Sequence, residues 1–250
     1  MRSALALAGL ALAGAACASP ASPVGPPART PDRGDLIRAI LASTVQLKSE
    51  HEAGVSRAAS GVVVATHFAS RRMWIATARH FLEPSRPQQL YVRLPGQTSL
   101  APATIAFVSG DRDLAIIETE YADVAPARLK MSTTLGDEIL LVSFPWGQRF
   151  TIVRGVVSQI EAPDGKLPVA GPPRMVSATV SYGSSGGGVF DAQTGELVAI
   201  VESYRMAKVA IPEMKGRVLE VPVAGETTVI PAPLIAQFLI DSGLNSYRPR

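Results

Sequence analysis

Beyond Arg33 the chain is a succession of short apolar runs separated by turn residues. They fall at Val45-Gln46-Leu47, Gly61–Ala65, Met73–Ala76, Leu90–Leu94, Ile105–Val108, Leu114–Glu118, Glu138–Ser143 and Thr151–Ile160. Others follow at Met175–Val180, Gly188–Phe190, Leu197–Glu202 and Thr227–Ile230. Runs this short, bounded by turn signals, predict strands, so the fold class is all-β. Two segments depart from that pattern. Asp35–Ala42 reads as a short lead-in helix, and Leu234, Ile235, Phe238 and Leu239 make one apolar helical face. Pro233 and Gly243 mark the start and end of that second helix. A change of composition at Val124-Ala125-Pro126-Ala127 divides the strands into two sets.

The first residues are of a different kind. Arg2 provides a positive start, Ala4–Ala13 an apolar core, and small residues follow, so Met1–Ala18 reads as an export signal. The apolar stretch is too short for a membrane span. Two processing routes are open: cleavage after Ala18, or cleavage before Cys17. Gly14-Ala15-Ala16-Cys17 resembles a relaxed bacterial lipobox, in which the sulfur of Cys17 would carry lipid. Ser19–Arg33 is proline-rich and lacks apolar periodicity, as an extended linker does. Cys17 is the only cysteine, so no intramolecular disulfide can hold the fold.

Net charge is +3, with no Lys/Arg cluster interleaved with aromatics, so nucleic-acid binding is not expected. No phosphate-cradling loop and no metal-ligand spacing appears, so neither a cofactor nor a metal is expected. The chemistry points instead to three residues in the order His80, Asp113, Ser185. A histidine, a carboxylate and a serine are the general base, orienting acid and nucleophile of acyl transfer. Gly183-Ser184-Ser185-Gly186-Gly187 also fits the nucleophile elbow of α/β-hydrolases, but an elbow needs its histidine after the serine. All three histidines, His51, His67 and His80, precede Ser185. His51 lies in the polar stretch Lys48–Glu52, which reads as a solvated turn, and His67 has no motif around it. Asp111 competes with Asp113, since both would face one side of an extended segment. Ser184 competes with Ser185.

In this setting Thr77-Ala78-Arg79-His80, Asp113-Leu114-Ala115-Ile116 and Gly183–Gly187 resemble the motifs of the HtrA/Deg-type trypsin-like serine proteases. Gly136-Asp137-Glu138 through Phe144-Pro145-Trp146-Gly147, the strand Thr151–Ser158, Gly195-Glu196-Leu197-Val198 and Val229-Ile230-Pro231 are similar to further segments of that family, in the same order. The resemblance covers roughly Ser43–Ser242. Gly188 departs from it, standing where the family more often has Pro or another small residue, and Arg79 beside the histidine is bulky and charged. It implies two six-stranded chymotrypsin-like β-barrels and a short C-terminal helix, with the site between the barrels. The division is then a protease domain over 34–250, with barrel 1 at about 43–124, barrel 2 at about 128–231 and the helix at 233–242. No PDZ-type segment follows that helix, so the expectation is the protease module alone. No trypsin-like Ile-Val-Gly-Gly start is found, so activation by a new N-terminus is not expected.

The resemblance selects His80, Asp113 and Ser185 as the triad and the backbone amides of Gly183, Ser184 and Ser185 as the oxyanion hole, those of Gly183 and Ser185 foremost. It assigns Thr179, Val180, Val201 and Glu202 to the pocket for the residue before the cut. Strand alternation lets only one of Val201 and Glu202 face inward. Val201 is expected there, because an unpaired buried carboxylate is costly. The expected activity is that of an exported serine endopeptidase with polypeptide substrates, periplasmic or lipid-anchored through Cys17, in envelope protein quality control or processing, with an oligomer possible. The competing reading is a non-catalytic protein-binding module on the same fold.

Overall fold

The apolar runs pair into antiparallel strands, and each set of strands closes on itself. The computed structural model describes residues 32–120, 123–162, 168–210 and 218–247. Helix α1 (Arg33–Ser43) leads into the first barrel. That barrel holds β1 (Thr44–Glu50), β2 (Ser56–His67), β3 (Arg72–Ala78), β4 (Gln89–Arg93), β5 (Ala101–Val108) and β6 (Leu114–Glu120) in the order β1-β2-β3-β6-β5-β4. The two-residue strand β7 (Thr133–Thr134) follows and pairs with β10 (Ala170–Gly171). The second barrel holds β8 (Glu138–Ser143), β9 (Thr151–Ile160), β11 (Pro173–Val176), β12 (Gly188–Asp191), β13 (Leu197–Ala210) and β14 (Val218–Pro231) in the order β11-β14-β13-β12-β8-β9. Helix α2 (Ala232–Asp241) follows β14, and a 3₁₀ turn at Asn245–Tyr247 comes after it. The all-β reading with two six-stranded barrels and a C-terminal helix is therefore borne out. The export signal, Cys17 and most of the proline-rich linker lie outside the described residues.

Strands buried on both faces explain why the sequence reads as continuous apolar runs and not as strict alternation. In β3, Met73 and Ile75 point into barrel 1 while Trp74 and Ala76 point toward barrel 2. In β8, Ile139 and Leu141 fill barrel 2 while Leu140 and Val142 point toward barrel 1. A third apolar cluster thus forms between the barrels, joining Val62, Leu114 and Ile116 to Val142, Phe190 and Ile200. Leu36 and Ile40 of α1 and Ile235 and Leu239 of α2 pack onto that same cluster. This seam places the ends of β3, β6 and the loop before β12 side by side.

Two expectations change. The run Met175–Val180 leaves the sheet at Val176, although Ala178 and Val180 stay buried. The Ala178 carbonyl accepts from the Thr227 hydroxyl at 2.6 Å in place of a ladder bond. Strands β13 and β14 run well past their apolar stretches as a ribbon, pairing Met206 with Pro222 and Val209 with Leu219. Their exposure there hides the strand signal, which comes from burial.

Candidate active site

His80 follows β3 directly, on a single 3₁₀ turn (Arg79–Leu82). Asp113 is the residue before β6, and β3 pairs with β6 in register from Ala78↔Leu114. The ladder therefore delivers acid and base to one end of the sheet. The His80 ring Nδ1 lies 2.6 Å from Asp113 Oδ2, and the His80 backbone amide donates to Oδ1 at 2.7 Å. On the ring's other side Nε2 lies 3.0 Å from Ser185 Oγ. With Nδ1 protonated, the ring donates to the carboxylate and accepts from the serine hydroxyl. His80 is half-exposed, with Asp113 more deeply set behind it.

The rival residues fall elsewhere. The Asp111 carboxylate is exposed and accepts from Ser109 Oγ at 2.8 Å, a bond that lowers its pKa. Ser184 is fully buried and its hydroxyl accepts from Ser143 Oγ at 3.1 Å. His67 ends β2, with Nδ1 2.7 Å from Ser70 Oγ. His51 corrects the expectation of a solvated turn. It is buried, with its ring between Ser49 Oγ at 3.0 Å and the Ser85 carbonyl at 3.1 Å. Its neighbours Lys48 and Glu50 give the stretch its polar look, while His51, just past the end of β1, turns its ring inward.

The segment before Ser185 is held so that its amides converge. A trans peptide sets C=O and N–H on opposite sides, so fixing one aims the other. The Tyr182 carbonyl accepts from the Trp146 amide at 2.7 Å, which turns the Gly183 N–H the other way. The Ser184 carbonyl accepts from the Gly187 amide at 2.8 Å, which does the same for the Ser185 N–H. Among the described residues neither of these two amides has a partner. Ser184 does not join them as a third donor, because its amide is taken up by the Ser181 carbonyl at 3.0 Å. Gly183 has φ +87, and a side chain there would stand 2.8 Å from the Trp146 nitrogen. Gly186 has φ +78 and is pressed against the Ser60 carbonyl and the Thr77 hydroxyl. The departure at Gly188 also has a cause: a Cβ there would collide with the Phe190 ring.

Trp146 was missed as a site residue. It adopts φ 56, ψ 16, a left-handed conformation that costs a non-glycine residue roughly 1 kcal/mol. That twist aims its amide at the Tyr182 carbonyl, and its ring meets the Tyr182 ring at 5.2 Å between centroids. The Gln46 side chain from β1 donates to the neighbouring Gly147 carbonyl. Only the chance match of a tryptophan beside Gly147 marks this in the sequence.

A cleft of about 320 Å³ crosses Ser185 and His80, lined on one side by Ala58 and Phe81 and on the other by Tyr182, Ser203, Tyr204 and Met206. The four expected pocket residues are placed apart from it. Val180 and Val201 are buried in the barrel 2 core, and Thr179 is exposed. Glu202 looks to the opposite side of β13, into a cavity shared with Asp113, Glu161 and Arg174. Among the described residues no group of His, Cys, Asp and Glu side chains is arranged to hold a metal ion.

Comparison with known proteins places this geometry. The trypsin-like peptidase domain family matches residues 59–200. No curated protein matches the sequence significantly. Among solved structures, the HtrA-type protease AlgW with a tripeptide is similar at 19% identity and a TM-score of 0.63, over 86% of this chain and 65% of AlgW. The chain thus spans just under two thirds of that protein. An inactive serine-to-alanine form of Rv3671c from M. tuberculosis H37Rv is similar at 19% identity and a TM-score of 0.61, over 88% of this chain and 98% of that one. A serine endoprotease from Yersinia pestis is similar at 17% identity and a TM-score of 0.62, over 87% of this chain and 68% of its own.

Proposed function

Because this chain belongs to the trypsin-like peptidase family, we propose that it is an exported serine endopeptidase working through His80, Asp113 and Ser185. The observation that carries the reading is the His80 ring, held at 2.6 Å from Asp113 and 3.0 Å from Ser185. Ser185 Oγ attacks the scissile carbonyl as His80 Nε2 takes its proton. Asp113 keeps the proton on Nδ1 and stabilises the imidazolium that forms. The Gly183 and Ser185 amides receive the oxyanion, and they are already oriented before substrate arrives, so little reorganisation opposes the step. The imidazolium then protonates the leaving amine, and water releases the acyl group by the reverse sequence of proton transfers.

The cleft is lined by residues of both barrels, which suits a polypeptide lying across the seam. The HtrA-type likeness and the export signal support a role in bacterial envelope protein quality control or processing, with Cys17 as a lipid anchor and the proline-rich segment as its spacer. A fluorophosphonate probe tests the catalytic reading. It should label the purified protein at Ser185 and be blocked by prior heat denaturation. A folded protein that stays unlabelled would instead be a binding module on a protease fold.

A further inference from the structure

The mechanism uses groups from the nucleophile loop, yet the residue that grips that loop most completely belongs to the other barrel. Ser60 lies in β2 and is fully buried. Its hydroxyl donates to the Gly183 carbonyl at 2.8 Å and accepts from the Phe144 amide at 2.8 Å. Its amide donates to the Ser185 carbonyl at 2.9 Å, and its carbonyl accepts from the Thr77 hydroxyl at 2.8 Å. Thr77 is three residues before His80 on the strand that carries the base. One side chain and one peptide unit thus tie Gly183, Ser185 and the Phe144 turn to the barrel that holds His80.

The consequence is geometric. Trp146 fixes the peptide between Tyr182 and Gly183, and Gly187 fixes the one between Ser184 and Ser185. The intervening peptide is fixed by the Ser60 hydroxyl alone on its carbonyl side. If that peptide rotates, the Gly183 and Ser185 amides no longer point to one spot. A hydroxyl is required, because the same atom must donate to one carbonyl and accept from one amide. Alanine would leave the buried Phe144 N–H and Gly183 carbonyl unpaired, which drives local rearrangement.

We propose that Ser60 is a positioning residue that aligns the oxyanion hole from the opposite barrel. The role rests on the peptidase reading above, but the hold on the loop can be measured without turnover. Hydrogen exchange of the Ser184, Gly186 and Gly187 amides is compared in the wild type, Ser60→Ala and Ser60→Cys, alongside steady-state peptide cleavage. In Ser60→Ala these amides should exchange roughly tenfold faster or more. Its kcat should fall on the order of 10- to 100-fold, less than the 10²–10³ lost with an oxyanion donor itself. KM should stay within about twofold, since ground-state binding is untouched. Ser60→Cys, with a weak donor, should fall between, and it decides the test by the same criteria if the alanine variant does not fold. Unchanged exchange overturns the proposal whatever happens to the rate. So does an unchanged kcat in an enzyme whose turnover is lost in Ser185→Ala. If the wild type proves to lack Ser185-dependent turnover, the peptidase reading fails, and faster exchange still supports Ser60 as the clamp on the loop.

Discussion

Asp113 holds His80 at two points, its Oδ2 2.6 Å from the ring Nδ1 and its Oδ1 accepting the backbone amide at 2.7 Å. The second bond fixes where the ring is attached, and the first fixes which way it faces. Asp113→Asn keeps the size but presents an N–H where an acceptor is needed, favouring the wrong tautomer. Turnover should fall by about 10⁴. Asp111→Asn should change it by less than about threefold, since that carboxylate faces Ser109 and solvent. Peptide-cleavage kinetics of the two variants check this, and similar mild effects would remove Asp113 from the triad.

Ser185 and Ser184 are adjacent but face opposite surroundings. Ser185→Ala should abolish probe labelling and lower kcat by about 10⁴–10⁶. Ser184→Ala gives up the buried bond to Ser143 and should cost about 1 kcal/mol of stability while keeping labelling. The reverse pattern would exchange their roles.

The ion pair between Lys130 and Asp191 makes a pH-dependent contribution to folding. Burial pushes the Asp191 carboxyl up, but the Lys130 ammonium and the amides of Thr194 and Gln193 outweigh it and hold the carboxyl below its ordinary value. The Asp191 bond holds the Lys130 ammonium above its own, against desolvation. Asp191 then stabilises the fold above pH ~4, and that share is lost as pH falls through its lowered folded value. The Lys130 share is present below pH ~10 and is lost as pH rises through its raised folded value. Denaturant titrations of Lys130→Met should read roughly 2 kcal/mol less stability at pH 7 and an acid transition moved to higher pH, because Asp191 is left buried with two amides. An unaltered acid limb would mean that the pair is not coupled to folding.

Glu202 bears on specificity through the side of β13 it occupies. It shares a cavity with Asp113 and Arg174, while Val201 packs inside barrel 2. Neither side chain lines the cleft beside Ser185, whose barrel 2 wall of Tyr182, Ser203, Tyr204 and Met206 carries no carboxylate, so a peptide library should show Val, Ala, Ile or Leu before the cut. Glu202→Gln should leave that preference as it is. A dominant Arg or Lys preference, lost in this variant, would put the acid in the pocket after all.

Cys17 is expected to carry lipid. Labelled fatty acid should enter the wild-type protein and not Cys17→Ser, and the wild type should sediment with membranes because two acyl chains anchor stably. A mature N-terminus at Ser19 would rule the anchor out.

The sequence alone determined the strand content and singled out His80, Asp113 and Ser185, which the structure brings within hydrogen-bond distance. Those follow from local chemistry: apolar runs bounded by turns, and histidine, aspartate and serine each at the end of such a run. Strand alternation set Val201 and Glu202 on opposite sides of β13, but the inward side is the barrel 2 core and not the cleft at Ser185. The sequence could not see the contacts that the tertiary structure decides. His51 is taken up by Ser49 and the Ser85 carbonyl and Asp111 by Ser109, whereas the ring of His80 meets Ser185 across the seam. Ser184 looks like an oxyanion donor until its amide is seen spent on Ser181. Trp146, on the turn after β8, and Ser60, on β2, act on Tyr182 and Gly183 through a backbone twist and a buried hydroxyl that no local pattern encodes. Tertiary packing, and not propensity, chose those partners: Trp146 reaches Tyr182 within barrel 2, and Ser60 reaches Gly183 across the seam between the barrels.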